Sequence, residues 1–250
     1  MPKPRHEAEL IVNALFEEFG TGGYTPGPVP HVDGRGAILE MKEDKFPGWA
    51  DVEWAGYHIK YLVQKTCDEK LAGKFTHLIQ KRRHLVKGEY VWDARFNAND
   101  EEVVILGDIK EYNKLLKDNR GIGVLVADTQ ANSDLSGEFV QWHEELKGGL
   151  SDYSVEREIE GRPPRIRKTE YMIRKIRAYF FKTKDFVDGL DEGWLDNTFQ
   201  KKYALRNSNE DPRNPKYKFK ISKVPDKNLI FVKNFNEDAE EFAEEFPGFS

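Results

Sequence analysis

The sequence predicts an α/β (α+β) fold with a central mixed β-sheet flanked by helices, and three observations carry that expectation. Gly121 to Ala127 (GIGVLVA) is an uninterrupted apolar run bounded by Gly, the signature of a strand buried on both faces. Residues 84–128 read as strand, turn, strand, helix, strand, the alternation that builds a mixed sheet. Leu10, Ile11, Ala14, Leu15 and Phe19 recur at helical spacing from Glu7 to Phe19 and stop at Gly20, Gly22 and Gly23, which supplies a covering helix.

Taken in order, Tyr24 to Pro30 is a Pro/Gly loop, and Ala37 to Met41 reads as a short strand after the Gly34 and Gly36 turn. Pro47-Gly48 opens a second helix whose apolar face is Val52, Ala55, Ile59, Leu62 and Val63. Ala72 to Leu85 reads as a basic helix or loop, and Tyr90 to Phe96 as a strand. Val103 to Leu106 reads as a strand or a helix start, and Glu111 to Lys117 as a short helix. Phe139 to Leu146 and Glu170 to Phe181 read as helices. Ala204 to Pro215 is a polar loop, Lys216 to Val224 and Leu229 to Phe235 a closing antiparallel pair, and an acidic helix starts at Glu237.

The chain has 250 residues, 38% of them hydrophobic, enough for one substantial core, and no repeat or linker divides it. It is expected to be a single domain, 1–250, with 48–130 as its core and 139–184 as a basic, DNA-binding region. No apolar run approaches the roughly 18 residues of a membrane span, and Met1 to His6 has no export signal. The single cysteine, Cys67, excludes an internal disulfide framework, so a reducing cytoplasm is the expected compartment; the thiol itself reads as a half-buried packing residue.

The net charge of −5 argues against indiscriminate nucleic-acid binding, but sign is segregated along the chain. Arg157 to Lys184 contains ten bases against three acids, and Glu237 to Glu245 six acids and no base. Within the basic stretch, Pro163 and Pro164 hold Gly161 to Thr169 extended, so Arg162, Arg165, Arg167 and Lys168 read as a strip able to follow a phosphate backbone. Lys147 lies shortly upstream; His143 reads as a satisfied structural histidine.

A metal-dependent phosphodiesterase needs carboxylate oxygens around a divalent cation and a base near the scissile phosphate, which an acid on one strand and an acid-x-base triplet on its neighbour provide. Three places approximate this: Asp33 with Glu40-Met41-Lys42; Asp93 with Asp108-Ile109-Lys110 across a hairpin turning at Asn99-Asp100; and His84 with Asp93-Ala94-Arg95, below the helix that carries Glu53. Asp93 is shared by two of them and follows Trp92 in an otherwise apolar strand, where a charge needs a partner or a metal. If Val103 to Asp108 runs into a helix, Asp108 is instead an N-cap and Lys110 a first-turn residue.

Over about residues 48–170 the chain resembles the PD-(D/E)XK nuclease superfamily, type II restriction-endonuclease-like. The resemblance rests on VEWAGYHIKYL (Val52 to Leu62), GEYVWDARF (Gly88 to Phe96), GIGVLVAD (Gly121 to Asp128) and FVQWHEELKGGLSDYSVEREIEGRPPRIRKT (Phe139 to Thr169). It implies a restriction-endonuclease-like sheet, double-stranded DNA as the partner, a Mg²⁺ or Mn²⁺ cofactor and a homodimer. Carried over, Glu53 is the helical acid, Asp93 the metal ligand, Arg95 the basic partner, and His84 stands in place of the first acid. Arg95 cannot give up a proton, and His84 is a poor Mg²⁺ ligand, which marks the points of departure. The leading expectation is a metal-dependent, site-specific double-stranded DNA endonuclease, with Asp93→Asn abolishing cleavage and leaving folding nearly intact. The runner-up is a DNA-binding protein on the same fold with degenerate catalysis, and a third reading is an enzyme or phage structural protein independent of nucleic acid.

Overall fold

The computed structural model describes residues 3–21, 30–80, 83–150, 152–197 and 214–235. Its architecture is the one expected: a mixed α/β chain in which a central sheet is covered by helices on both faces. The first helix, α1 (Pro4–Thr21), is followed by β1 (His31–Asp33), α2 (Gly34–Glu43), a 3₁₀ turn at Pro47–Ala50 and α3 (Trp54–Lys70). Then come β2 (Thr76–Gln80), β3 (Arg83–Lys87), β4 (Val91–Ala98), β5 (Val103–Asp108), α4 (Ile109–Asp118) and β6 (Ile122–Ser133). The remainder is α5 (Glu138–Leu146), α6 (Asp152–Ile159), β7 (Lys168–Phe181), α7 (Thr183–Glu192), β8 (Leu195–Asp196), β9 (Lys216–Lys220) and β10 (Leu229–Asn234).

The main sheet runs in the order β2, β3, β4, β6, β7, and the far edge of β7 is shared by β1 and β10. All its ladders are antiparallel except β4 with β6, which pair in parallel with Asp93 opposite Val124 and Asn97 opposite Asp128. Parallel strands need a crossover, and α4 provides it. A second, three-stranded sheet, β5, β9, β8, lies off the main one. One core fills the space between α1, α2, α3, α5 and one sheet face, with Trp54, Trp92, Ile11, Leu62 and Tyr171 buried in it. The other lies between the opposite face and α4, α7 and the small sheet, around Val124, Val126, Tyr112, Phe181 and Phe219. Gly123 is fixed by this packing, because a Cβ there would meet the Trp92 indole at 2.1 Å.

Four expectations are corrected. Ala37 to Met41 lies in helix α2: the Asp33 carboxylate caps it by accepting from the Gly36 N–H at 2.7 Å, and Ala37, Ile38 and Met41 share its buried face. Ala72 to Leu85 contains the β2–β3 hairpin, with Leu78 opposite Leu85. Glu170 to Phe181 belongs to the fourteen-residue strand β7, where pairing with β6 on one edge and with β1 and β10 on the other overrides helical propensity. β9 and β10 do not pair with each other; β9 joins β5 and β8, and β10 joins β7. The Tyr24 to Val29 part of the first loop, Ala204 to Arg213 and the acidic segment from Glu237 lie outside the described residues. No helix among the described residues is long and apolar enough to cross a membrane.

Candidate functional site

Alternation along β4 divides its side chains between the two cores. Trp92 enters the first, where its indole N–H donates to the buried Glu7 carboxylate at 2.8 Å, and Val91 enters the second. Asp93, Arg95 and Asn97 share the face of Val91. Asp93 is 1% exposed, and its Oδ2 accepts two hydrogen bonds of 2.5 Å, from the Arg95 guanidinium and from the Tyr112 hydroxyl. Burial works against the charge on Arg95, but Asp93 and Tyr112 outweigh it and hold the guanidinium protonated above its ordinary range. Asp93 Oδ1 and Arg95 Nε are buried without a hydrogen-bond partner among the described residues.

A second acid–arginine pair lies farther along the same face. Asp128, also 1% exposed, accepts through Oδ1 from Asn97 Nδ2 at 2.7 Å and from Arg177 on β7, and its Oδ2 has no partner among the described residues. Sequence reasoning missed Tyr112, Asn97, Asp128 and Arg177. The signals were present: an acid closing the buried run of β6, an Asn two residues beyond Arg95, and an aromatic residue one helical turn past Asp108.

The predicted partners of Asp93 lie elsewhere. Leu85 is the residue opposite Asp93, so His84 projects from the other face, where its ring packs on Phe46 at 4.4 Å and on Tyr57 at 6.5 Å. Burial, then the charge of Lys60, holds His84 below the usual histidine range. Glu53 precedes α3 and is exposed, ion-paired with Arg165 at 2.7 Å. Asp108 is the N-cap of α4, accepting from the N–H groups of Lys110 at 2.9 Å and Glu111 at 3.3 Å, with Lys110 exposed in the first turn. The Asn99-Asp100 turn, both residues at positive φ, does not return β5 against β4, because both edges of β4 are already taken by β3 and β6. Asp33 and Glu40-Met41-Lys42 do not form a strand pair either. Glu40, on α2, bonds Lys65 at 2.7 Å; partial burial works to raise its carboxyl, but the hydrogen bonds and charges of His58 and Lys65 together outweigh it and bring it down to about 2.

The strip 161–168 is only partly a display of bases. Arg162 pairs with Glu160, Arg165 with Glu53, and Lys168 donates to Ser133 Oγ at 3.2 Å. Arg167 is buried, bonding the Val140 carbonyl at 2.9 Å and the Glu144 carboxylate, which also receives Lys147 at 2.9 Å. The reading of Arg167 as a displayed base is corrected: it ties the strip to α5. His143 donates to the Trp49 carbonyl at 2.9 Å, and burial, then Arg167, lowers it to about 4. The Cys67 thiol is buried and pushed up to about 12.

The residues around Asp93 do not fit an octahedral Mg²⁺ ion. One carboxylate oxygen is left over, a guanidinium occupies the other, and no group of three or more His, Cys, Asp or Glu side chains among the described residues is arranged to hold a metal. No family model and no curated protein matches the chain. Among solved structures the chain is similar to the restriction endonuclease BglI bound to its DNA recognition sequence, with a TM-score of 0.37 and 8% identity, over 93% of this chain and 91% of that one.

Proposed function

We propose that this chain is a double-stranded DNA-binding protein on a restriction-endonuclease-like fold whose nuclease site is degenerate. The observation that carries the reading is the closure of Asp93: Arg95 and Tyr112 both occupy Oδ2, and Glu53 and His84, the residues that the resemblance aligns with the other site positions, lie away from it. Phosphate contacts are assigned to Arg162 and Arg165, the exposed cations of the strip, with Lys168 at its end, while Lys147 stays on the buried Glu144. Arg162 and Arg165 are held by exposed carboxylates that DNA phosphates can replace at little cost.

One observation favours the alternative, a metal-dependent, site-specific double-stranded DNA endonuclease acting as a homodimer in the cytoplasm. The buried Asp93 Oδ1 has no hydrogen-bond partner among the described residues, and a buried acceptor left unsatisfied is a costly arrangement that a ligand reaching it would relieve. Incubating the protein with unmethylated plasmid and with Mg²⁺ or Mn²⁺ separates the two. Uncut plasmid retarded on a gel in a salt-sensitive manner is the expected result. Discrete bands refute degenerate catalysis, and neither retardation nor cleavage refutes DNA binding.

A further inference from the structure

Next to the strip, α2, the 3₁₀ turn, α3 and α5 together present a face built from alternating cations and aromatic rings. Arg35 sits 5.4 Å over the Trp142 ring, Lys42 5.0 Å over Trp49 and Lys60 5.3 Å over Tyr57. These three pairs are physically continuous. Lys42 also reaches the Leu146 carbonyl at 3.4 Å, and the Trp49 carbonyl receives His143, whose ring stacks beside Trp142. Tyr57 lies against Gly48, the neighbour of Trp49, so closely that a Cβ on Gly48 would meet it at 2.3 Å. All three rings are partly exposed at the margin of the first core.

The observation is where these pairs lie: Lys65 over Tyr61 and Lys233 over Phe16 are further cation–π pairs elsewhere in the chain, but Arg35, Lys42 and Lys60 place three of them side by side on one face. The ligand they fit carries planar π faces and anionic groups in alternation along a chain, which is the chemistry of unpaired nucleotides. In a duplex the base faces are hidden by stacking and cannot meet the rings. In a single strand each base can stack on Trp142, Trp49 or Tyr57 while the displaced cation moves to the adjoining phosphate. Of the acids beside this face, Glu53 is paired with Arg165 and Glu144 with Lys147 and Arg167, and these pairs join the face to the basic strip, while the exposed Glu138 and Glu145 flank Trp142 one helical turn away on α5. We infer that this chain has a single-stranded nucleic-acid site on the face Arg35, Lys42, Trp49, Tyr57, Lys60 and Trp142, which goes beyond the duplex reading.

The test titrates the protein, without metal, with oligo-dT and with a blunt duplex of the same length, following tryptophan fluorescence and gel mobility over a range of salt. Oligo-dT is expected to quench the fluorescence. The double substitution Arg35→Glu with Lys42→Glu, both on the exposed side of α2, should weaken binding at least tenfold and flatten the salt slope by about 1.4, at about 0.7 per phosphate contact on a single strand. An unchanged far-UV spectrum and melting temperature would confirm that the variant is folded, and Trp142→Phe, which keeps a ring, should retain part of the affinity. Absence of oligo-dT binding, or equal affinity in the double variant, overturns the inference. Duplex binding without oligo-dT binding leaves the proposed function intact and removes this site; oligo-dT binding without duplex binding does the reverse.

Discussion

The Asp93–Arg95 pair allows a thermodynamic cycle whose outcome follows from its burial. Asp93→Asn removes the charge that keeps a largely buried guanidinium solvated, and leaves Tyr112 bonded to a neutral acceptor. Breaking one side of a buried pair costs about 3–5 kcal/mol, and at about 2–4 °C per kcal/mol for a chain of this size the melting temperature should fall by roughly 10 °C. Arg95→Met should cost a similar amount, since it strands the carboxylate. The double variant leaves a neutral amide and a thioether of similar volume, so it should be much closer to the parent than the sum of the singles, with a coupling of about 3 kcal/mol. Urea unfolding of the four proteins measures this directly. Additive singles of less than about 1 kcal/mol each would show that Asp93 and Arg95 are separately solvated, and would reopen Asp93 as an accessible ligand. The sequence-level expectation that Asp93→Asn spares folding is thereby replaced.

Other outcomes follow from the same geometry. His143 is held neutral, down to about 4 against about 6.5 unfolded, so the native state binds fewer protons and stability falls as pH drops through that window. Between pH 7 and pH 4.5 the parent should lose about 2.4 kcal/mol more than His143→Gln, read from urea midpoints; parallel pH profiles would count against it. Asp108→Ala should cost about 1 kcal/mol through loss of the α4 cap, while Lys110→Ala should leave stability and DNA binding within error, and a large effect of Lys110 on either would restore it as a site residue. Replacing Arg162, Arg165 and Lys168 together by Ala should lower the slope of log K against log salt by up to about 0.9 per lost phosphate contact without a change in melting temperature. Arg167→Ala should instead lower stability by about 3 kcal/mol, because it leaves Glu144 buried with Lys147 alone, and a stable Arg167→Ala that binds DNA weakly would return Arg167 to the interface.

What the sequence disclosed was local. The apolar periodicity of α1 and α3, the buried run of β6 and the Trp92-Asp93 oddity in β4 each depend on a few neighbouring residues, and each can be read without knowing the partner. β7 could not, since KTEYMIRKIRAYFF fits a helix about as well as a strand until three other strands pair with it. The site was half legible for the same reason. Asp93 announced itself, but its face is set by the register of β3, which sends His84 to the opposite core, and its second donor, Tyr112, arrives from a helix nineteen residues later. Arg167 looked like its neighbours in the strip, yet burial against Glu144 makes it the one that DNA cannot reach.

The pairing of β7 also sets a timetable for folding on the ribosome. β1 is synthesised early, but its ladder partners, Glu170 to Met172, come almost 140 residues later. At 5–20 residues per second, that strand stays without its partner for roughly seven to thirty seconds. In the last part of that interval, from the completion of β6 at Ser133 until β7 emerges, the edge of β6 that β7 will occupy is open, with the apolar side chains of Ile122 to Ala127 on both sides of it. The nascent chain therefore depends on β7 to close both cores at once, and a stall anywhere between Ser133 and Lys168 should make it a holdase client and a nucleus for strand-edge aggregation.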